Sequence, residues 1–329
     1  MMVVAAAAVL AAAASVAPAA EPSIVQRIAG PDGGWDLLSV DSAHHRLLVA
    51  RSDGVMAVDL RTGAVTPEFV PATRLHAVLA IPHTNLGLAT AGPSNSAILF
   101  DLATGAVRSE VPTGKNPDAA IYDPASRTVW VMNAGDGSVT VVDPVQARVV
   151  ATVPVGGALE LPALDGRGHL FVNIEDKAEI AEIDLARRSV IRHIALAGCE
   201  EPTGLAYIPS GMLISACANS VAKLVRASDG RLLGQIAIGP RPDGAFFDQA
   251  RHRAYIPSGG DGTLTVIETR GRLPRAIARI ATQAGARTGT VDARTGRVYL
   301  PAARFGPPAA PGQRPKMVPG SFEILVVGG

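Results

Sequence analysis

The sequence predicts an all-β chain folded as a seven-bladed β-propeller with four-stranded blades, and three observations carry that expectation. The first is composition: 329 residues that are 48% hydrophobic yet only 4% aromatic, with 34 glycines and 25 prolines. That mixture suits many short strands broken by turns better than long helices. The second is an internal repeat with a step of about 40–45 residues, the period of a propeller blade. The third is the way the two ends of the chain complement each other.

The elements follow in order. A lone strand, "SIVQRIAG", opens the folded part. The first full unit is "WDLLSVDSAHHRLLVARSDGVMAVDLRTGAV" from Trp35, and the second is "LHAVLAIPHTNLGLATAGPSNSAILFDLATGAV" from Leu75. The third begins at Pro117 with "PDAAIYDPASRTVWVMNAGDGSVTVVDP". The fourth begins at Leu159 with "LELPALDGRGHLFVNIEDKAEIAEIDL", and the fifth at Pro202 with "PTGLAYIPSGMLISACANSVAKLVRASDGRLL". The sixth starts "PDGAFFDQARHRAYIPSGGDGTLTVIE" at Pro242, and the last starts "RTGTVDARTGRVYLPAARF" at Arg287. Each reads as an apolar inner strand, a turn, a second apolar strand, a Gly- or Asp-rich turn, and two further alternating strands. Aligned on the inner strand, the units begin at Asp36, His76, Asp118, Glu160, Thr203, Asp243 and Arg287, with steps of 40, 42, 42, 43, 40 and 44 residues. The last unit ends at "SFEILVVGG" and lacks a fourth strand, which the lone N-terminal strand supplies. The ring is thus expected to close by the N-terminal strand joining the C-terminal blade, removing two open sheet edges.

The blade pattern "PDAAIYDP…VWVMNAGDGSVTVVD" resembles the YVTN-type repeat, and the chain from about residue 23 to its end resembles the YncE-like exported seven-bladed propellers. The "YVTN" core reads "WVMN" in the third blade and is blurred elsewhere. The family is defined by architecture, so the resemblance implies a fold and an exported location but no particular chemistry. Two tryptophans in the whole chain do not supply the repeated motifs of WD-repeat or quinoprotein propellers.

Residues 1–20, "MMVVAAAAVLAAAASVAPAA", carry no charge and end in a small-x-small pattern. They read as a secretory signal peptide cleaved near Ala19 or Ala20, although the basic start of such a signal is missing. Residues 21–329 are then one propeller domain, expected to be periplasmic or secreted and monomeric, with no membrane span after cleavage. The formal net charge of +1 points neither to nucleic acid nor to an anionic membrane surface.

The two cysteines, Cys199 and Cys217, fit no metal or haem spacing. On a propeller, Cys199 falls in the loop entering the fifth blade and Cys217 at the end of that blade's second strand, which returns to the same face. A structural disulfide is expected in an oxidising compartment. The adjacent Glu200 and Glu201 disfavour a reactive thiolate.

That face also carries the seven unit-opening residues. Asp36, His76, Asp118, Glu160, Thr203, Asp243 and Arg287 form an expected polar ring at the channel mouth. Its acids could equally tie loop N–H groups. Asn173, Glu175 and Asp176 in "NIEDKAE" read as a solvated charged turn, and "NAGDGS" and "GGDGT" as hairpin turns. Residues 303–321, rich in proline, form a long loop on the mouth side that could fold over it as a lid.

The sequence lacks a Gly-x-Ser-x-Gly elbow, a phosphate loop and a His-Glu-x-x-His pair. The favoured expectation is a non-catalytic periplasmic protein, without cofactor, that binds a small polar ligand or a protein partner at the funnel mouth. The alternative is a lactonase-like hydrolase using one divalent metal ion held by His76, Asp118, Glu160 and Asp243. Nucleic acid is the least expected partner, since stacking aromatics are few.

Overall fold

The structure, a computed structural model, describes residues 22–308, 310 and 315–328. The expected signal segment and part of the 303–321 loop lie outside the described residues.

Among the described residues, twenty-eight strands form seven antiparallel sheets of four. The third blade shows the plan: inner strand Pro117–Asp123, then Thr128–Asn133, Ser138–Asp143 and the outer strand Arg148–Pro154, each paired with the next. Middle strands such as Thr128–Asn133 are buried along their whole length because both faces meet a neighbouring blade, so they read as unbroken apolar runs. Outer strands alternate, as in Ser189–Ala195, where one face meets water. The apolar core is seven clusters, one between each adjacent pair of blades. One joins Leu48, Val55 and Val70 of the first blade to Val78, Ala89 and Phe100 of the second. Another joins Val266 of the sixth to Leu300 and Leu325 of the seventh.

The ring closes as expected. Strand Ser23–Ala29 pairs antiparallel with Glu323–Gly328, completing a sheet with Thr290–Val291 and Val298–Ala302. Three devices reinforce the seam. Arg27 pairs with Glu323 across it. The Asp32 carboxylate accepts the N–H groups of Gly320, Ser321 and Phe322 at 2.6, 3.2 and 3.3 Å, and these bonds hold its pKa below the ordinary aspartate value. The buried Arg51 lays its guanidinium 3.9 Å from the Phe322 ring centroid and donates to Pro31 O at 2.6 Å.

Cys199 and Cys217 are bonded to each other, with Cα atoms 5.4 Å apart, and both are buried between the fourth and fifth blades. A disulfide persists in an oxidising environment, extracellular or periplasmic. No helix among the described residues is long and apolar enough to cross a membrane.

Within the 303–321 loop, residues 304–306 and 316–318 pair as a narrow ribbon. Phe305 bridges Met317, Gly306 N donates to Lys316 O at 2.9 Å, and Val318 N to Arg304 O at 2.8 Å. Its base packs Phe305 against Trp35, with ring centroids 6.2 Å apart, beside the first residue of the polar ring.

Candidate functional site at the channel mouth

A backbone irregularity positions the ring. In each of the first five blades the pairing between inner and second strands skips two residues: Trp35 and Leu38 are paired but the two between are not, and the same step occurs at Leu75/Val78, Pro117/Ala120, Leu159/Pro162 and Pro202/Leu205. The ring residue is the first of each skipped pair. Such a bulge re-aims a side chain and frees backbone groups that then need partners. In the sixth and seventh blades the inner strand starts later, at Phe246 and Thr290, so Asp243 and Arg287 precede it. Asp243 is nonetheless held by the bridge between Pro242 and Ser258 and by its N–H bond to Arg287 O at 3.1 Å.

Polar side chains act as spokes between blades at these bulges. Thr90 Oγ1 accepts from Ala77 N at 2.8 Å and donates to Asp118 O at 2.6 Å in the next blade. Asn173, fully buried, donates to the carbonyls of Thr203 and Gly204 at 3.0 Å each and accepts from Ser215. Thr288 donates to Asp36 O at 3.1 Å. These three spokes hold the backbone carbonyls of Asp118, Thr203 and Asp36.

Asp36, His76, Asp118, Glu160, Thr203, Asp243 and Arg287 all line one cavity of about 240 Å³, together with Leu37, Leu161 and Glu175. Their roles differ. Thr203 turns its hydroxyl to Pro242 O at 2.9 Å, so it is a spoke rather than a free donor. His76 Nδ1 lies 2.8 Å from Asp36 Oδ2 and 3.8 Å from Asp118 Oδ1. Its Nε2 is buried without a partner and faces Gly92, where a Cβ would come within 2.8 Å of it. Only glycine leaves the ring that room. Across the cavity Arg287 Nε is 3.0 Å from Asp243 Oδ2.

The "NIEDKAE" turn divides three ways. Asn173 is a spoke, Asp176 accepts Ala158 N at 2.8 Å, and Glu175 reaches the cavity wall. Sequence reasoning placed all three on a solvated turn. No sequence signal separates them; the structure does, through a short helical turn Glu175–Lys177 that ends on Ala178 in the left-handed region at φ 51°.

Electrostatically the cavity is crowded with acid. Burial, followed by the charges of Asp118 and Asp243, pushes the Glu160 carboxyl up to about 10. Burial and Asp36 push Asp118 up to about 7, with His76 pulling the other way. Asp243 rises to about 6, again chiefly by burial, and Arg287 moderates it. Glu175 is raised by burial and by Glu201. The hydrogen bond to Asp36 raises His76. Near neutral pH the ring therefore holds protons that ordinary carboxyls would have released. Three ligand-capable groups, Asp36, His76 and Asp118, offer atoms within 4.8 Å of one another. Glu160 and Asp243 share the cavity but stand outside that cluster.

No family model and no curated sequence matches this chain. Solved structures match its fold. A chain of Kuenenia stuttgartiensis hydrazine synthase is similar at a TM-score of 0.70 with 15% identity, over 82% of this chain and 92% of that one. A chain of a mitotic checkpoint complex is similar at a TM-score of 0.74 with 12% identity, over 88% of this chain and 95% of that one. At these identities the likeness is one of architecture, a seven-bladed propeller, and that architecture is compatible with a binding or scaffold role.

Proposed function

We propose that this propeller is a non-catalytic binding protein of an oxidising compartment, periplasmic or secreted, that takes a small, positively charged polar ligand at its channel mouth. The observation that carries this reading is the gathering of Asp36, Asp118, Glu160 and Asp243 round one cavity, where burial and neighbouring acids push Asp118 and Glu160 up to about 7 and about 10 and Arg287 is the one permanently cationic wall side chain among the described residues. A cation entering the cavity supplies the missing counter-charge and lets these carboxyls ionise. Binding then releases protons, and affinity rises with pH up to the carboxyl values. Titration calorimetry with a diamine and with calcium, at pH on either side of neutrality and in buffers of different ionisation enthalpy, tests this. Proton release on binding, lost in Asp118→Asn and Glu160→Gln, is the expected result. Absence of binding by either cation above neutral pH, or binding indifferent to both substitutions, refutes the reading.

One observation favours a second reading, a metal-dependent, lactonase-like hydrolase. The Asp36, His76 and Asp118 cluster offers two carboxylates and an imidazole, a donor set that suits a divalent transition metal. Those residues would hold the ion, and its chemistry would be to polarise an ester carbonyl and acidify a bound water. His76 Nδ1 would have to exchange its bond to Asp36 for the metal. Elemental mass spectrometry of protein purified without chelator decides between the readings. About one equivalent of zinc or manganese, lost in Asp36→Asn and Asp118→Asn, supports the hydrolase; calcium alone or no metal supports the binding protein.

A further inference from the structure

The net charge of +1 conceals a segregation by face. The acidic cavity opens at one end of the disc. At the other end lie two turns per blade, one joining first and second strands, the other joining third and fourth. Backbone bonds tie the two turns together: Leu60 N to His45 O at 2.8 Å, Leu185 N to Gly168 O at 3.0 Å, Thr269 N to His252 O at 2.9 Å. At this end each of the first six blades carries an exposed arginine in or beside its second turn: Arg61, Arg108, Arg148, Arg187, Arg231 and Arg272. The seventh blade, whose outer strand comes from the N-terminus, contributes exposed Arg294 and Arg297 from its first turn.

Carboxylates stand at the same turns but are drawn inward. Asp59 Oδ1 accepts the N–H groups of Arg61 and Thr62, Asp101 Oδ1 those of Ala103 and Thr104, and Asp143 Oδ1 those of Val145 and Gln146. The Asp101 and Asp184 side chains are 7% and 15% exposed, whereas their partners Arg108 and Arg187 are 62% and 82% exposed. At these turns the guanidinium stands outside its carboxylate, except in the fifth blade, where Asp229 at 47% is as exposed as its partner Arg226 at 42%. Aliphatic side chains stand among them. Val145 is 72% and Leu273 44% exposed in their turns, with Val107 at 51% and Leu232 at 38% where the outer strands begin.

We propose that this end of the disc docks on an anionic lipid bilayer. A ring of arginines recurring blade by blade matches a planar field of phosphates, to which guanidinium binds in bidentate fashion. The aliphatic turn residues supply apolar contact at the headgroup boundary, where a soluble polyanion offers none. A single-stranded nucleic acid would call for stacking aromatics, yet the one exposed large aromatic among the described residues, Phe305, sits at the mouth end. Docking in this orientation turns the acidic cavity away from the like-charged lipid and keeps it open to solvent.

The test is co-sedimentation with vesicles of phosphatidylglycerol mixed into phosphatidylcholine, against phosphatidylcholine alone, at low and high salt. The wild type is expected to bind the anionic vesicles and to be released by salt. The triple variant Arg148→Glu, Arg187→Glu, Arg231→Glu should lose partitioning by at least on the order of 100-fold, since roughly fivefold per cationic side chain gives that loss for the three cations alone and the three added anions repel the surface further. Val145→Asp with Leu273→Asp should weaken it too, while Lys115→Glu at the mouth end should not. All these side chains are exposed, so the melting temperatures of the variants should match the wild type and separate lost docking from lost folding. Equal binding to neutral vesicles, no binding at low salt, or binding that survives the triple reversal overturns the proposal. So does a preference for a single-stranded oligonucleotide over the vesicles.

Discussion

Replacing Glu160 by glutamine isolates the electrostatic strain of the channel mouth. In the folded protein, burial and then Asp118 and Asp243 push this carboxyl up to about 10, from an ordinary value of 4.5. Above the ordinary value the unfolded chain gives up the proton while the folded one keeps it. The folded state then binds more protons than the unfolded state, so stability falls as pH rises, by about 1.4 kcal/mol per pH unit at most, until the folded value is reached. From about pH 5 to about pH 7 the loss is at most roughly 3 kcal/mol, and water in the cavity reduces it to ~1–2 kcal/mol. Glutamine keeps the shape, cannot ionise, and presents an N–H₂ donor to the neighbouring acids. The Glu160→Gln protein should match the wild type within ~1 kcal/mol at about pH 4.5 and exceed it by ~2 kcal/mol at about pH 8. Urea denaturation at a series of pH values, with m compared to confirm the same transition, measures this. A variant with the wild-type pH slope, or one less stable than wild type at alkaline pH, would show that the cavity does not strain Glu160 and would remove the main support for cation binding.

Two further outcomes are expected. Cys199→Ser with Cys217→Ser should cost roughly 3 kcal/mol, the chain-entropy contribution of a bridge across 18 residues, and the unfolded wild type should show no free thiol until reduced; a double variant as stable as the parent contradicts this. Asp32→Ala removes the acceptor for three N–H groups at the ring seam, so hydrogen exchange should speed up at Gly320–Phe322 and along Ser23–Ala29 while the third blade stays protected. Uniform exchange in variant and parent would mean that strand pairing alone closes the ring.

Much of the fold was legible because a propeller repeats. Each inner-strand residue recurs about every 42 positions, and the missing fourth strand of the last unit matches the spare strand at the start. The nearness of the cysteines followed from the same geometry, since the entering loop and the end of the second strand must lie on one face. The site was legible only as a set of positions. Nothing in "PTGLAY" shows that Thr203 spends its hydroxyl on Pro242 O, or in "NIEDKAE" that Asn173 braces the next blade while Glu175 reaches the cavity. Those differences are made by bulges and by contacts between blades 30 to 42 residues apart.

The sequence by itself determined the architecture, because periodic apolar runs and turn residues act locally and recur often enough to be counted. Charge was decided by tertiary structure alone. A balance of +1 says nothing of a disc with buried carboxyls at one end and exposed arginines at the other. Strand direction alternates along each blade, so residues adjacent in sequence on either side of one strand are carried to opposite faces. Only the closed ring gathers seven such residues round one cavity, where burial and neighbouring carboxylates set the ionisation of Asp118, Glu160 and Asp243.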